Sequence, residues 1–281
     1  MTYGELRDYG CKYLVDADIQ DADIDAWYLL EYVTEMSRTD FFMRRDEVIS
    51  HEVCQRYEEV LKLRSKHIPL QHITGHQEFM GLDFNVNGDV LVPRQDTELL
   101  VELALPLIND KKVLDMCTGS GCIVVSLSRL GKPALCMAAD ISEKALNMAK
   151  KNAYLNHADV TFVQSDMFKG VTGKFDVIVS NPPYIPQEVI ETLADEVKDH
   201  DPYIALYGGD DGLEFYRRIA LESAEHLEKG GLVMMEIGFD QAEDVMAIFR
   251  EQGYTDIKKY KDLAGMDRVV TACLGMEDKD V

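Results

Sequence analysis

The sequence predicts an α/β protein: an open, mostly parallel seven-stranded sheet behind a smaller helical domain. Three observations carry that expectation. From Lys112 onward, short apolar runs alternate with amphipathic stretches, the pattern of consecutive βα units. The last two strand-like runs, 256–260 and 268–274, have no helix between them and so suit an antiparallel pair at the sheet edge. Residues 1 to about 75 carry helical spacing only.

Residues 3–14 place Leu6, Tyr9, Tyr13 and Leu14 near helical spacing, and 25–36 carry Trp27, Leu30, Tyr32 and Val33 among acids. Ser37-Arg38-Thr39-Asp40 reads as a break, and 47–67 as a long amphipathic helix with Val53, Tyr57, Val60 and Leu61. No nucleophile or metal motif occurs there, so a small bundle that binds a partner or caps a site is expected. Pro69 closes it. Residues 78–92 turn strand-like, with Asn87-Gly88 as a hairpin turn between 84–86 and 90–92. The expected domains are therefore a helical, substrate-binding domain over 1–75, a β-hairpin linker over 76–92, a catalytic-type α/β domain over 93–276 and a disordered tail over 277–281.

Within the α/β domain a helix is expected over 97–108, a strand over 112–116 and a helix over 121–130. A strand over 134–139 and a helix over 142–156, capped by Ser142, follow. Strands over 160–164 and 175–180 come next, then a helix over 213–227 closed by Gly230-Gly231, a strand over 232–237 and a helix over 240–252.

Composition excludes several classes. A chain of 281 residues accommodates one large and one small domain. No apolar stretch approaches the ~18 residues that span a bilayer. The start, Met1-Thr2-Tyr3-Gly4-Glu5, lacks the basic segment and apolar core of a signal peptide. Six cysteines at 11, 54, 117, 122, 136 and 273 contain no CxxC pair, which argues against zinc and a disulfide framework and for a reducing, cytoplasmic setting. A net charge of −22 weighs against a protein that grips long stretches of DNA or RNA, because phosphate contacts need clustered Lys and Arg.

The chemistry concentrates at expected strand ends. Asn181-Pro182-Pro183-Tyr184 follows the apolar run 175–180, so a side-chain amide lies where open α/β sheets bind ligands. The prolines fix φ and force extended geometry on the residues before them. The result is a stiff bracket of one amide, one carbonyl that no helix claims and one aromatic ring, suited to a planar nitrogen group such as an amide or an exocyclic amine. Upstream, Cys117-Thr118-Gly119-Ser120-Gly121 closes the first strand and opens its helix, where glycines permit close backbone approach. A dinucleotide fingerprint needs a third glycine, and Val124 stands there. Asp140, about 20 residues on, ends the second strand, where a carboxylate can accept both ribose hydroxyls. Asp166 ends the third, either as acceptor for an adenine amine or as a helix cap. With Asp115 these acids form a rim for a nucleoside. Arg94, in Pro93-Arg94-Gln95-Asp96-Thr97-Glu98, either caps that pocket or lies on the surface at a helix start. Glu236 ends the fifth strand, in contact with substrate or in a structural role.

These motifs together resemble the release factor glutamine methyltransferases, the HemK/PrmC family of S-adenosylmethionine-dependent enzymes. The resemblance covers nearly the whole chain. It includes Pro69-Leu70-Gln71-His72-Ile73-Thr74-Gly75, Phe79-Met80-Gly81-Leu82, Val92 to Glu98, Thr118 to Gly121, Asn181 to Ile185, Gly208 to Leu213 and Lys261 to Arg268. It implies a Rossmann-like seven-stranded methyltransferase sheet and transfer of a methyl group from S-adenosyl-L-methionine. The acceptor it implies is the side-chain nitrogen of the glutamine in the Gly-Gly-Gln loop of class 1 peptide chain release factors. By position, Cys117, Thr118, Gly119, Ser120, Gly121, Asp140, Met167 and Asn181 would line the cofactor, and Asn181, Pro182, Pro183 and Tyr184 would hold the glutamine. Two departures stand out. Cys117 occupies a place where many relatives have glycine, and Met167 one where some have tryptophan, which would replace aromatic stacking with a softer sulfur contact.

Asn181 and Pro182 would supply two neutral oxygens, one for each N–H of the acceptor amide, while Tyr184 presses its ring on the amide plane. The same bracket could hold a flipped base in an N6-adenine methyltransferase acting on DNA or RNA, which the acidity disfavours. A cofactor-binding interaction module without catalysis is the third reading, and the intact bracket argues against it.

Overall fold

The computed structural model describes residues 1–275 and divides them into two units: Met1–Gly75 with Ala194–His200, and His76–Leu193 with the chain from Asp201 onward. The tail expected over 277–281 lies outside the described residues.

The first unit holds helices Tyr3–Val15, Ala22–Thr34, Arg38–Arg44, His51–Arg64 and Leu70–Thr74. Thr2 and Glu5 form a reciprocal capping box at the first, and Ser50 accepts from Val53 N at the fourth. The break expected at 37–40 is instead a helix start: Ser37 accepts from Asp40 N, and the chain turns one step earlier, where Glu35 takes a φ of 55°. Leu14, Trp27, Leu30, Tyr57 and Leu61 are buried in one cluster. The Tyr57 hydroxyl donates to the Ala26 carbonyl at 2.7 Å, which satisfies the one polar atom that this ring brings into the core. Buried Arg64 pairs with buried Asp25 at 2.6 Å and with Glu196 at 2.5 Å.

The second unit opens with β1 (His76–Phe79) and β2 (Leu82–Asn85), an antiparallel pair. This corrects the expected hairpin. The turn is Met80-Gly81, with φ of 54° and 71°, the two positive values that a two-residue hairpin turn needs. Asn87-Gly88 makes only a local turn, Val90 N donating to Asn87 O at 3.2 Å, and among the described residues 90–92 pairs with no strand.

The main sheet comprises β3 (Lys112–Met116), β4 (Leu135–Asp140), β5 (Thr161–Gln164), β6 (Phe175–Ser180), β7 (Leu227–Glu236), β8 (Tyr254–Lys261) and β9 (Asp267–Leu274), in the order β5-β4-β3-β6-β7-β9-β8. β3 to β7 run parallel, and β9 is antiparallel to both neighbours. Period-two alternation splits each central strand between two cores. Leu114, Met116 and Ile178 pack with Tyr216 and Phe249, whereas Val113, Val177 and Val179 pack with Leu100, Val124 and Leu127. One further correction concerns Gly230-Gly231. They do not close a helix but lie inside β7, where pairing jumps from Phe175↔Leu227 to Val177↔Leu232. The helix before it, Glu214–Glu222, is shorter than expected and ends in a 3-10 turn over Ser223–Glu225. The strand order reverses direction between β3 and β6, so the crevice beyond their carboxyl ends is the natural ligand site.

Candidate active site

A cleft opens at those strand ends. Arg94, Cys117, Thr118, Gly119, Ser120, Asp140, Asp166, Met167, Asn181 and Pro183 all line it. Thus ten of the fifteen residues named from sequence converge on one place, although they come from five separate segments. Asp115, Gly121, Pro182, Tyr184 and Glu236 do not line it.

The loop after β3 is shaped by buried bonds. Asp115 is fully buried and accepts from the Thr118 hydroxyl at 2.6 Å, so it braces the loop from below and forms no part of the expected acidic rim. Burial pushes its carboxyl up to about 7, against the pull of that hydroxyl. Cys117 takes a φ of 61°, the left-handed conformation that glycine adopts most cheaply. Burial pushes its thiol above the ordinary range. Gly119 (φ 55°) would project a Cβ into open space. At Gly121 a Cβ would lie 3.0 Å from that of Ala149, so glycine there lets the helix Cys122–Leu130 pack closely on Glu143–Leu155. The buried amide of Asn152 fastens the loop to β2, donating to Ser120 O at 2.9 Å and to Asn85 O at 3.0 Å.

Asp140 ends β4 with one oxygen accepting from Gly119 N at 2.8 Å and the other from Ser142 N at 2.9 Å. Each oxygen keeps a lone pair, the pair of acceptors a ribose diol requires. Burial pushes this carboxyl up, and the backbone N–H groups of Ser142, Gly119 and Ile141 pull it back. Asp166 is bound on both oxygens, by Lys169 at 2.5 Å and Arg218 at 2.8 Å, and the Lys169 ammonium, then the Arg218 guanidinium, hold its carboxyl below the usual range. Met167 is buried beside it with a φ of 49°. Arg94 reaches Asp201 at 2.7 Å and stays 45% exposed along its side chain, which places it on the cleft wall. Open space at Gly119, two spare acceptors on Asp140 and the apolar Met167 fit a nucleoside.

The bracket follows β6. Ser180 donates to Met116 O at 2.7 Å and so ties the end of β6 to that of β3. Asn181 Nδ2 donates to Thr97 Oγ1 at 3.3 Å, which leaves the Asn181 carbonyl oxygen without a protein partner among the described residues. No N–H of the described residues donates to the Pro182 carbonyl. Tyr184 is turned away from the cleft: its hydroxyl lies 3.4 Å from Glu236 Oε1 and its ring packs on the core. Burial, with the Glu236 charge next, drives that phenol well above its ordinary range.

Sequence reasoning missed what stands behind the bracket. Gln241 Nε2 donates to Tyr184 O at 3.0 Å and Gly212 O at 3.3 Å, while its Oε1 accepts from Gly238 N at 2.9 Å and the Tyr216 hydroxyl at 3.3 Å. A Cβ on Gly208 would stand 2.6 Å from Tyr184 Cα, and one on Gly212 (φ 72°) would strike Tyr184 O. The glycines of Gly208-Gly209-Asp210-Asp211-Gly212 therefore let this loop lie directly against the bracket. The signal was present as that dense glycine segment, without an indication of what it touches.

Residues 5–75 match the model of the PrmC N-terminal domain, and residues 94–197 match that of the methyltransferase small domain. A release factor glutamine methyltransferase of Clostridium acetobutylicum is 43% identical over 259 residues, 89% of this chain and 91% of its own. The one from Agrobacterium fabrum is 40% identical over 269 residues, 92% of this chain and 93% of its own. The crystal structure of a methyltransferase from Pyrococcus furiosus superposes with a TM-score of 0.56 at 22% identity, covering 70% of this chain and 91% of that one, which establishes a shared fold.

Proposed function

The chain belongs to the release factor glutamine methyltransferase family, and from that premise we propose that Asn181 and Pro182 hold the acceptor amide against the methyl donor in the cleft. The protein is an S-adenosyl-L-methionine-dependent methyltransferase that methylates the side-chain nitrogen of a release factor glutamine. The glutamine we assign is that of the Gly-Gly-Gln loop of class 1 release factors. The loop Cys117 to Gly121, Asp140, Met167 and the cleft face of Asn181 would hold the cofactor.

S-adenosylmethionine supplies a sulfonium methyl that is already a strong electrophile. An amide nitrogen is a poor nucleophile because its lone pair is delocalised into the carbonyl. The protein must therefore orient the NH2 group and favour positive charge growing on it. The Asn181 oxygen and the Pro182 carbonyl each accept one N–H and become better partners as those N–H groups turn acidic. Only that strengthening raises the rate. Alignment adds a proximity contribution, on the order of 7–11 kcal/mol at best. No side-chain base is needed before transfer, since the proton can leave afterwards. Pro183, on the cleft wall, and the ring of Tyr184 set the shape and stiffness of the bracket.

The reading rests on the Asn181 amide: its nitrogen is committed to Thr97, so its oxygen is the atom left for substrate. Purified protein with labelled cofactor should label a release factor on its Gly-Gly-Gln peptide, read by mass spectrometry, and should leave DNA and RNA unlabelled. Label on adenine and none on the peptide would replace this reading with the nucleic-acid one.

A further inference from the structure

Glu236 is a charged residue at the end of β7 that the transfer chemistry above does not use. It is 2% exposed, and its Oε2 is buried with no hydrogen-bond partner among the described residues. Its Oε1 lies 3.4 Å from the Tyr184 hydroxyl, and the Thr97 hydroxyl also favours its charged form. A carboxylate accepts only, so the Tyr184 hydroxyl must donate to it, and a Thr97 hydroxyl turned toward it would do the same. Asn181 Nδ2 donates to the Thr97 oxygen at 3.3 Å, the arrangement that leaves the Thr97 proton free for the carboxylate.

We propose that Glu236 is a positioning residue: its buried carboxylate anchors Tyr184 at one end of the bracket and takes the Thr97 hydroxyl proton at the other, which fixes the direction Asn181 to Thr97 to Glu236 and turns the Asn181 oxygen to the substrate. The inference deepens the proposed reaction and rests on it. Protonating Glu236 makes the carboxyl a donor. Thr97 can then accept from it and offer its own proton to Asn181, which favours the flipped amide with NH2 toward the acceptor nitrogen. Two donors would then face each other.

The charged and titratable groups around this carboxyl are Arg268 and Asp96, which pair with each other at 3.0 Å, together with Tyr184, Tyr216 and Cys122. Arg268 favours the carboxylate and Asp96 opposes it, while burial pushes its titration up to about 7. The direction of the network therefore changes within the neutral range.

The test is single-turnover methylation of a release factor by the full chain from about pH 5.5 to 9, for wild type, Glu236→Gln and Glu236→Asp. Wild type should lose rate as pH falls through about 7, and Glu236→Gln should be roughly 10–100-fold slower at pH 8 with no inflection near 7. Glu236→Asp, which keeps the charge, should retain the inflection. Cofactor affinity by titration calorimetry should stay within about twofold in Glu236→Gln, since the bracket and not the nucleoside loop is disturbed. A Glu236→Gln enzyme with wild-type rate and pH profile, or one whose cofactor binding and melting temperature fall as far as its rate, overturns the proposal. Wild-type protein that methylates no release factor overturns the underlying reaction as well, and so separates the two failures.

Discussion

The amide nitrogen of Asn181 lies 3.3 Å from the hydroxyl oxygen of Thr97, and in the proposed site this contact decides which end of the asparagine would face substrate. Thr97, 2% exposed, sits in the 3-10 turn Gln95–Thr97, 84 positions before Asn181. Replacing it by valine keeps the shape and removes the acceptor, so the amide can rotate by half a turn. Thr97→Val should lower kcat about 5–30-fold, the equivalent of roughly 1–2 kcal/mol of lost orientation, and Thr97→Ser should retain most activity. Equal activity of the valine and serine variants would show that the hydroxyl orients nothing.

Asn181→Ala removes one of the two oxygens proposed to hold the acceptor. By analogy with deleting one preorganised hydrogen-bonding group, kcat should fall roughly 10²–10³-fold. Steady-state assays on a release factor measure this, and near-normal turnover would overturn the assignment.

The glycine loop behind the bracket makes a separate, structural prediction. Gly212 combines a φ of 72° with a Cβ direction aimed at Tyr184 O. Gly173 has a φ of 92° with open space around it, so Gly173→Ala reports backbone strain alone. Gly212→Ala should destabilise by roughly 1–3 kcal/mol and reduce kcat, whereas Gly173→Ala should lose only about 1 kcal/mol with normal kcat. Urea denaturation alongside activity distinguishes the two, and indistinguishable variants would mean that the loop yields freely.

Much of this was legible in the sequence, for physical reasons that also explain the gaps. Buried parallel strands are runs of apolar residues, so 112–116, 134–139, 160–164 and 175–180 stand out within a residue of the observed bounds, whereas β7 starts five residues before the expected 232 because Gly230-Gly231 read as a break. Asn181 was legible because two prolines mark a stiff strand exit. The Met80 turn was not, because methionine carries no signal for positive φ, and Asn87-Gly88 drew the hairpin to the wrong place. Asp115 looked like Asp140, an acid near a strand end; in register Asp115 lies opposite Ala138, two positions short of Asp140, which leaves it in the core while Asp140 reaches the cleft. The turning of Tyr184 toward Glu236 depends on β7 lying beside β6, which no local pattern reveals.

Asp115 and Glu236 both titrate near 7 in the folded chain, raised by burial from ordinary values of 3.8 and 4.5. Between those limits the folded state holds more protons than the unfolded one. The slope of unfolding free energy with pH is then negative, so their contribution is complete below about pH 4 and is lost as pH rises through about 7. Asp115→Asn removes one of the two groups. Its stability relative to wild type should therefore rise as pH goes from about 4 to 7, then level off. A constant difference across that range, measured by urea midpoints, would mean that Asp115 ionises normally.

Arg64 tests the helical unit. Its guanidinium joins Asp25, 5% exposed, and Glu196, which lies on the segment Ala194–His200 of the same unit. Removing one partner of a buried pair leaves the other charge unsolvated, so Arg64→Ala should cost roughly 3–5 kcal/mol. The cost has a pH signature. Burial already raises the Asp25 carboxyl, with Arg64 pulling it down, so losing the guanidinium lets it rise further. Asp25 then takes up a proton more readily, and the penalty of Arg64→Ala should shrink as pH is lowered toward 5. The double variant Asp25→Leu with Arg64→Met replaces the pair with apolar volume and should recover most of the lost stability, because well-packed apolar residues match or exceed a buried ion pair. Denaturant melts of the full chain decide it: a pH-independent penalty, or a double variant no better than Arg64→Ala, would show that packing of the arginine stem and not charge pairing holds this unit.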